Sequence, residues 1–210
     1  AVTENTEQTL VDGMGRTIVN LRISVTDRCN FRCTYCMPAD NVEFMPRDKL
    51  LSFEEITRIA QIGSGMGIKR LRLTGGEPLM RKDLPVLIRM LTGIKGIEDV
   101  AMTTNAFFLK EHAKALKDAG LRRLNISLDA LDPEKFRDVN RRDCIKEVLE
   151  GIKVSAEIGF IFNKHSSYSF CSSDFIVIAP PTPTERYFVC ALYKIVLIIT
   201  LKSKSPSGVM

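Results

Sequence analysis

Three cysteines fall within the stretch SVTDRCNFRCTYCMP, residues 24–38, of a chain that holds six in all. Cys29, Cys33 and Cys36 are separated by three residues and then by two, so one tight loop can turn all three thiolates toward a common centre. Four ligands close a tetrahedral metal site, whereas three leave a position open. A structural zinc needs a fourth ligand, and the remaining candidates (His112, His165, Cys144, Cys171 and Cys190) all lie far along the chain. A [4Fe–4S] cluster held by three cysteines keeps one iron for an exogenous ligand, which suits a site that does chemistry. The thiols alone leave both readings open.

The elements that must carry this loop follow an alternating pattern. Short apolar, β-favouring runs at 21–25, 70–73, 99–102 and 123–127 predict four strands. Between them, Ser52-Phe-Glu-Glu55 reads as a capping box for a helix with Ile56, Ile59, Ala60 and Gly63 on one face. Further helices are expected at 84–91, at 109–119 before Gly120, after Asp132-Pro133, and at 145–158. Strand and helix in turn predict an α/β fold of parallel βαβ units. The cysteine loop follows the first strand, TGGEP the second and TTN the third, and SLDAL includes the end of the fourth. Polar and glycine-rich residues thus gather at the C-terminal ends of consecutive parallel strands, the edge where such folds place ligands.

The bulk composition narrows the classes. The chain has 210 residues, 45% hydrophobic and 26% charged, with no tryptophan, which is the balance of a globular protein. The formal charge of +5 has no basic run with interleaved aromatics, so a nucleic-acid surface is not expected, although a basic pocket for an anionic small molecule is. The cysteines crowd too tightly for a disulfide framework and no signal peptide precedes them, which favours metal ligation in a reducing compartment. The opening Ala1 is what a processed or trimmed chain would show.

The motifs carry a resemblance. CNFRCTYC resembles the C-x3-C-x2-C signature of the radical S-adenosylmethionine (SAM) superfamily, with an aromatic residue before the last cysteine, and LTGGEPLMR resembles its GGE motif. Together with MTTN and LNISLDALD, these stretches are similar to the GTP 3',8-cyclase family, which acts first in molybdenum cofactor biosynthesis; the similarity runs over residues 12–160. It implies a partial parallel (β/α) barrel of the radical SAM type, incomplete at the C-terminus. It also implies a [4Fe–4S] cluster on Cys29, Cys33 and Cys36, with SAM on its open iron. SAM contacts would come from Tyr35, Gly75, Gly76, Glu77 and Ser127, and contacts to the substrate GTP from Arg22, Arg72 and Thr103. In the family, a radical from SAM takes hydrogen from the ribose C3' and the carbon radical attacks guanine C8. The cofactor performs the hard step and the protein positions and shields it.

From about Phe160 the rhythm stops. Residues 161–210 are rich in serine and β-branched residues and break at Pro180–Pro183, so the expected organisation is a 1–160 core and a divergent 161–210 tail. Five Lys/Arg against two Asp/Glu give that tail a net +3. Its apolar stretch 187–201 is interrupted by Lys194 and short for a membrane span. The family's second cluster uses a later cysteine trio containing C-x2-C, and no C-x2-C occurs after residue 160. Lys164 falls where a GTP-binding lysine could be counted, but its surroundings do not match and it is not carried over. The chain is therefore expected to be a truncated form with weak or no turnover. The alternative is an inactive splice form or fragment that binds the cluster and SAM only. The resemblance leaves the electron donor open, admits a homodimer, and implies the mitochondrial matrix for a eukaryotic chain or the cytoplasm for a bacterial one.

Overall fold

The computed structural model describes residues 9–162 and the backbone of 176–178. Lys164, His165, Cys171, Cys190, the proline break and the apolar stretch 187–201 lie outside the described residues. In chain order the elements are β1 (Asn20–Ser24), α1 (Phe53–Gly65), β2 (Arg70–Thr74), α2 (Leu84–Thr92), β3 (Asp99–Thr104), α3 (Leu109–Asp118), β4 (Arg123–Ile126), α4 (Pro133–Asn140), α5 (Ile145–Glu157), β5 (Ile161–Phe162) and β6 (Ile176–Ile178). The strands form one sheet in the order β5-β4-β3-β2-β1-β6, and every pairing is parallel. Among the described residues this is a partial (β/α) barrel, left open between β5 and β6.

The expected caps form as drawn. The Ser52 hydroxyl accepts from the Glu55 amide at 3.2 Å while Glu55 Oε2 accepts from the Ser52 amide at 2.8 Å, and α1 starts there. Asp132 Oδ1 accepts from the Lys135 amide at 2.9 Å, with Pro133 opening α4. Each closes donors that a helix start leaves over. Two strands fall within residues that composition assigned to the tail: β5 pairs with β4, and β6 pairs with β1 on the opposite edge.

Alternation along the strands divides the sheet into two unlike faces. Leu21, Ile23, Leu71, Leu73, Val100, Met102 and Leu124 are buried in one core with Ile56 and Ala60 of α1, Leu87, Ile88 and Leu91 of α2, and Leu109, Ala113 and Leu116 of α3. The other face carries Asn20, Arg22 and Ser24, then Arg70, Arg72 and Thr74, then Asp99, Ala101 and Thr103, then Arg123 and Asn125. Parallel sheets are usually apolar on both sides. A polar second face is what the inner wall of a barrel needs when it lines a site. Among the described residues no helix is long and apolar enough to cross a membrane.

Candidate functional site

The loop after β1 is held to the loop after β2 by main-chain bonds. The Val25 amide donates to the Thr74 carbonyl at 2.9 Å, and the Gly76 and Glu77 amides donate to the Thr26 and Arg28 carbonyls, each at 2.8 Å. Two glycines make this approach possible. A Cβ on Gly75 would sit 2.3 Å from the Thr26 oxygen, at a φ of +145°, and one on Gly76 would sit 2.3 Å from the Arg28 oxygen; no side chain fits either place. The next residue, Glu77, is 1% exposed. Its carboxylate accepts from the Thr104 hydroxyl at 2.7 Å, the Asn105 amide at 2.8 Å and the Leu79 amide at 3.1 Å. Burial nevertheless pushes its pKa up to about 7, against the lowering by those bonds. One buried acid thus joins the ends of β2 and β3 beneath the cysteine loop.

Within that loop the Phe31 amide donates to Cys29 Sγ at 3.4 Å, and the Cys36 and Met37 amides donate to the Cys33 carbonyl at 2.9 and 3.2 Å. The Cys33 thiol donates to Asn140 Oδ1 at 2.9 Å. Phe31 packs edge-on to Phe107 and Phe136, with ring centroids 6.3 and 5.9 Å apart. Tyr35 is exposed, and its hydroxyl donates to Asp129 at 3.0 Å, tying the cysteine loop to the loop after β4. An open hollow of about 340 Å³ beside it is lined by Thr34, Tyr35, Cys36, Met37, Pro38, Ala39 and Arg141. Ser127 is exposed just past β4, its amide donating to the Thr104 carbonyl at 2.9 Å.

The donor set suits a cluster. Cys29 and Cys33 are held above the ordinary thiol range, Cys33 at about 12, by burial first and then by nearby negative groups, which for Cys33 include Asp129 and the other two cysteines. They favour the thiolate only once a cation arrives. Among the described residues no three His, Cys, Asp or Glu side chains are gathered closely enough to hold one metal ion. Asn30 lies between Cys29 and Phe31. Its Oδ1 accepts from Asn105 Nδ2 at 2.8 Å, but its own Nδ2 is buried without a partner among the described residues. An orphaned buried donor is costly, and an acceptor-rich group within the loop would satisfy it.

The strand register places the candidate arginines in one row. Arg22 pairs with Arg72, Arg72 with Ala101, and Ala101 with Arg123. Arg22 and Arg72 are half-buried, whereas Arg70 is exposed at the start of β2. Burial lowers the pKa of both, and Arg72 is lowered further by Arg22 and Arg123. Arg123 is clamped by Asp99, with Nε at 3.0 Å from Oδ2. Thr103 stands on the same face one step nearer the loop edge, opposite Asn125. The sequence did not single out Asp129, although it lies inside the SLDAL stretch, nor Asn140, which carries no motif.

A model of the radical SAM superfamily matches residues 23–180. The chain belongs to the radical SAM superfamily. Among curated members it is 52% identical over 156 residues to a GTP 3',8-cyclase of Staphylococcus carnosus (strain TM300), a match covering 72% of this chain and 46% of the relative. It is 53% identical over 154 residues to that of Staphylococcus haemolyticus (strain JCSC1435), covering 71% and 45%. The chain therefore spans under half the length of these relatives. Two solved structures are similar at 20% identity. The [FeFe]-hydrogenase maturase HydG superposes with a TM-score of 0.56 over 77% of this chain and 35% of its own. SuiB of Streptococcus suis, bound to S-adenosylmethionine, gives 0.55 over 81% and 41%. Both establish the partial barrel and nothing finer.

Proposed function

We propose that this chain carries the cluster-, SAM- and nucleotide-binding part of a GTP 3',8-cyclase. The observation that carries the reading is the placement of three thiols at the loop edge of one parallel sheet and three arginines in a row along its polar face. Cys29, Cys33 and Cys36 would hold a [4Fe–4S] cluster. When bound, the cluster and SAM supply a radical able to take a hydrogen atom from the ribose.

The remaining tasks fall to this chain's own groups. Tyr35, Gly75, Gly76, Glu77 and Ser127 stand around the SAM position, and the glycines keep the wall thin while Glu77 braces it from below. Arg22 and Arg72 present planar guanidinium forks that suit triphosphate oxygens and stay charged despite burial. Thr103 lies between that row and the loop edge, where the sugar would pass. Gathering these groups on one inner wall is what a closed barrel would need to keep water from a reactive intermediate. The chain covers less than half of its curated relatives, so the reading is of the binding part of such an enzyme. The relatives compared are bacterial, which favours the cytoplasm over the mitochondrial matrix.

Anaerobic reconstitution with iron and sulfide tests this. The expected result is iron and sulfide on the chain, 5'-deoxyadenosine released from SAM on reduction, and GTP bound. Cyclised nucleotide would extend the reading to full activity. A chain that takes up one zinc and neither iron nor sulfide would overturn it.

A further inference from the structure

Asn140 closes α4, far from Cys33 in sequence, yet it reaches that thiol. The Cys33 S–H donates to its Oδ1 at 2.9 Å, while its Nδ2 donates to the Phe136 carbonyl at 3.2 Å. The side chain has little freedom to leave, since Asn140 is 2% exposed. The main chain is pinned as well: the Arg32 amide donates to the Asn140 carbonyl at 3.3 Å, and the Thr34 amide donates to the Val139 carbonyl at 2.9 Å. The end of α4 and the stretch around Cys33 are thus held together on both sides of the thiol.

A primary amide has an acceptor oxygen and a donor nitrogen. Toward a thiol it can present Oδ1, as it does here. A sulfur bound to iron carries no proton and can only accept. With the backbone pinned, Oδ1 facing such a sulfur would set two acceptors together in a buried place. The contact survives if the amide turns over, so that Nδ2 donates to sulfur; the longer bond to Phe136 is given up and Oδ1 must swing clear of that carbonyl, a smaller cost than facing a charged sulfur because the carbonyl is neutral.

We propose that Asn140 is a positioning residue for the cluster, donating an amide N–H to the sulfur of Cys33 and thereby easing electron entry. The inference rests on reading Cys33 as a cluster ligand. Hydrogen bonds to ligand sulfurs withdraw charge from the cluster and are among the factors that set its potential.

The test compares the reconstituted parent chain with Asn140→Leu, which keeps the shape and loses the amide, and Asn140→Asp, which offers only acceptors when ionised. Iron and sulfide content are measured first, then the reduced fraction by EPR-monitored redox titration. At the parent's midpoint, the reduced-to-oxidised ratio should fall about tenfold in Asn140→Leu, equal to about 59 mV for one electron, and further in Asn140→Asp. A structural role alone would change the helix signal or iron content and leave the midpoint in place. Should neither variant hold its fold, pulsed EPR on the reduced parent and on Asn30→Asp, both labelled with side-chain ¹⁵N-asparagine, replaces them; a nitrogen coupling that persists in Asn30→Asp supports the proposal, and its absence there overturns it. Unchanged midpoints in loaded, folded variants overturn this inference alone. A parent that takes up no iron or sulfide overturns the cluster reading and this inference with it.

Discussion

Gly76→Ala separates a glycine that contacts a ligand from one that builds the protein. A methyl group there would lie 2.3 Å from the Arg28 oxygen, 2.6 Å from its carbonyl carbon and 2.8 Å from the Asp27 oxygen. All three are backbone atoms, so no side chain can swing aside. To accept the methyl group, the GGE turn must pull away from the cysteine loop and give up the Gly76–Thr26 and Glu77–Arg28 bonds. Two backbone hydrogen bonds at about 1 kcal/mol each, with about 1–3 kcal/mol for the forced shift, make a loss of about 3–5 kcal/mol. That is a large share of the roughly 5–15 kcal/mol a domain holds.

The assay is urea denaturation followed by circular dichroism, in reducing buffer without SAM or iron. Gly65→Ala is the internal control: it ends α1 with nothing within 4 Å of the added carbon, and should raise stability by up to about 1 kcal/mol. If Gly76 matters only as a SAM contact, its alanine variant will match the parent in the absence of SAM. A difference under about 0.5 kcal/mol, at the mutational noise of an unconstrained surface site, would refute the packing argument.

Three further outcomes follow from the same geometry. The Glu77 carboxyl titrates near 7 in the fold against an ordinary 4.5, so the stability linked to its protonated form is full below about 4.5 and is lost as pH rises through about 7; Glu77→Gln should flatten that decline, and parallel pH profiles would contradict the assignment. Phe136→Ala removes a ring that is 1% exposed and packs against Phe31; it should cost about 3–5 kcal/mol in denaturant, and a loss below about 1 kcal/mol would show that α4 does not anchor the cysteine loop through this ring. Arg72→Ala should weaken GTP binding about 10- to 100-fold by calorimetry, the equivalent of one charge-assisted contact of about 1.5–3 kcal/mol; unchanged affinity would remove Arg72 from the nucleotide site.

The parts of this site that could be read from sequence are those whose chemistry is local. The three thiols lie on one loop, the capping box at Ser52 spans four residues, and Asp132-Pro133 starts a helix by itself; each was placed as the structure has it. Register was one step less visible. Arg22 and Arg72 could be put on strands, but only pairing sets them beside Arg123, with Ala101 between as the one small residue of the row. Strand β5 has two residues and β6 three, too few for alternation to register, and they pass for tail because the preceding helices set the rhythm by which strands were found.

Contacts that join distant segments left no trace in any local pattern. Asn140 is an unremarked helix-end residue until the Cys33 thiol is found against it, and Asp129 is one acid among many until the Tyr35 hydroxyl reaches it. Glu77 shows the consequence most clearly. Sequence reads the GGE turn by what it could offer a cofactor, whereas in the fold both glycines are required by the backbone of Thr26–Arg28 and the glutamate by Thr104 and Asn105. The two demands fall on the same three residues. A wall one backbone thick must be glycine on the side where the loops meet, whatever lies on the other. Substitutions here will therefore lower stability and cofactor binding together, and only measurements without SAM can tell which loss came first.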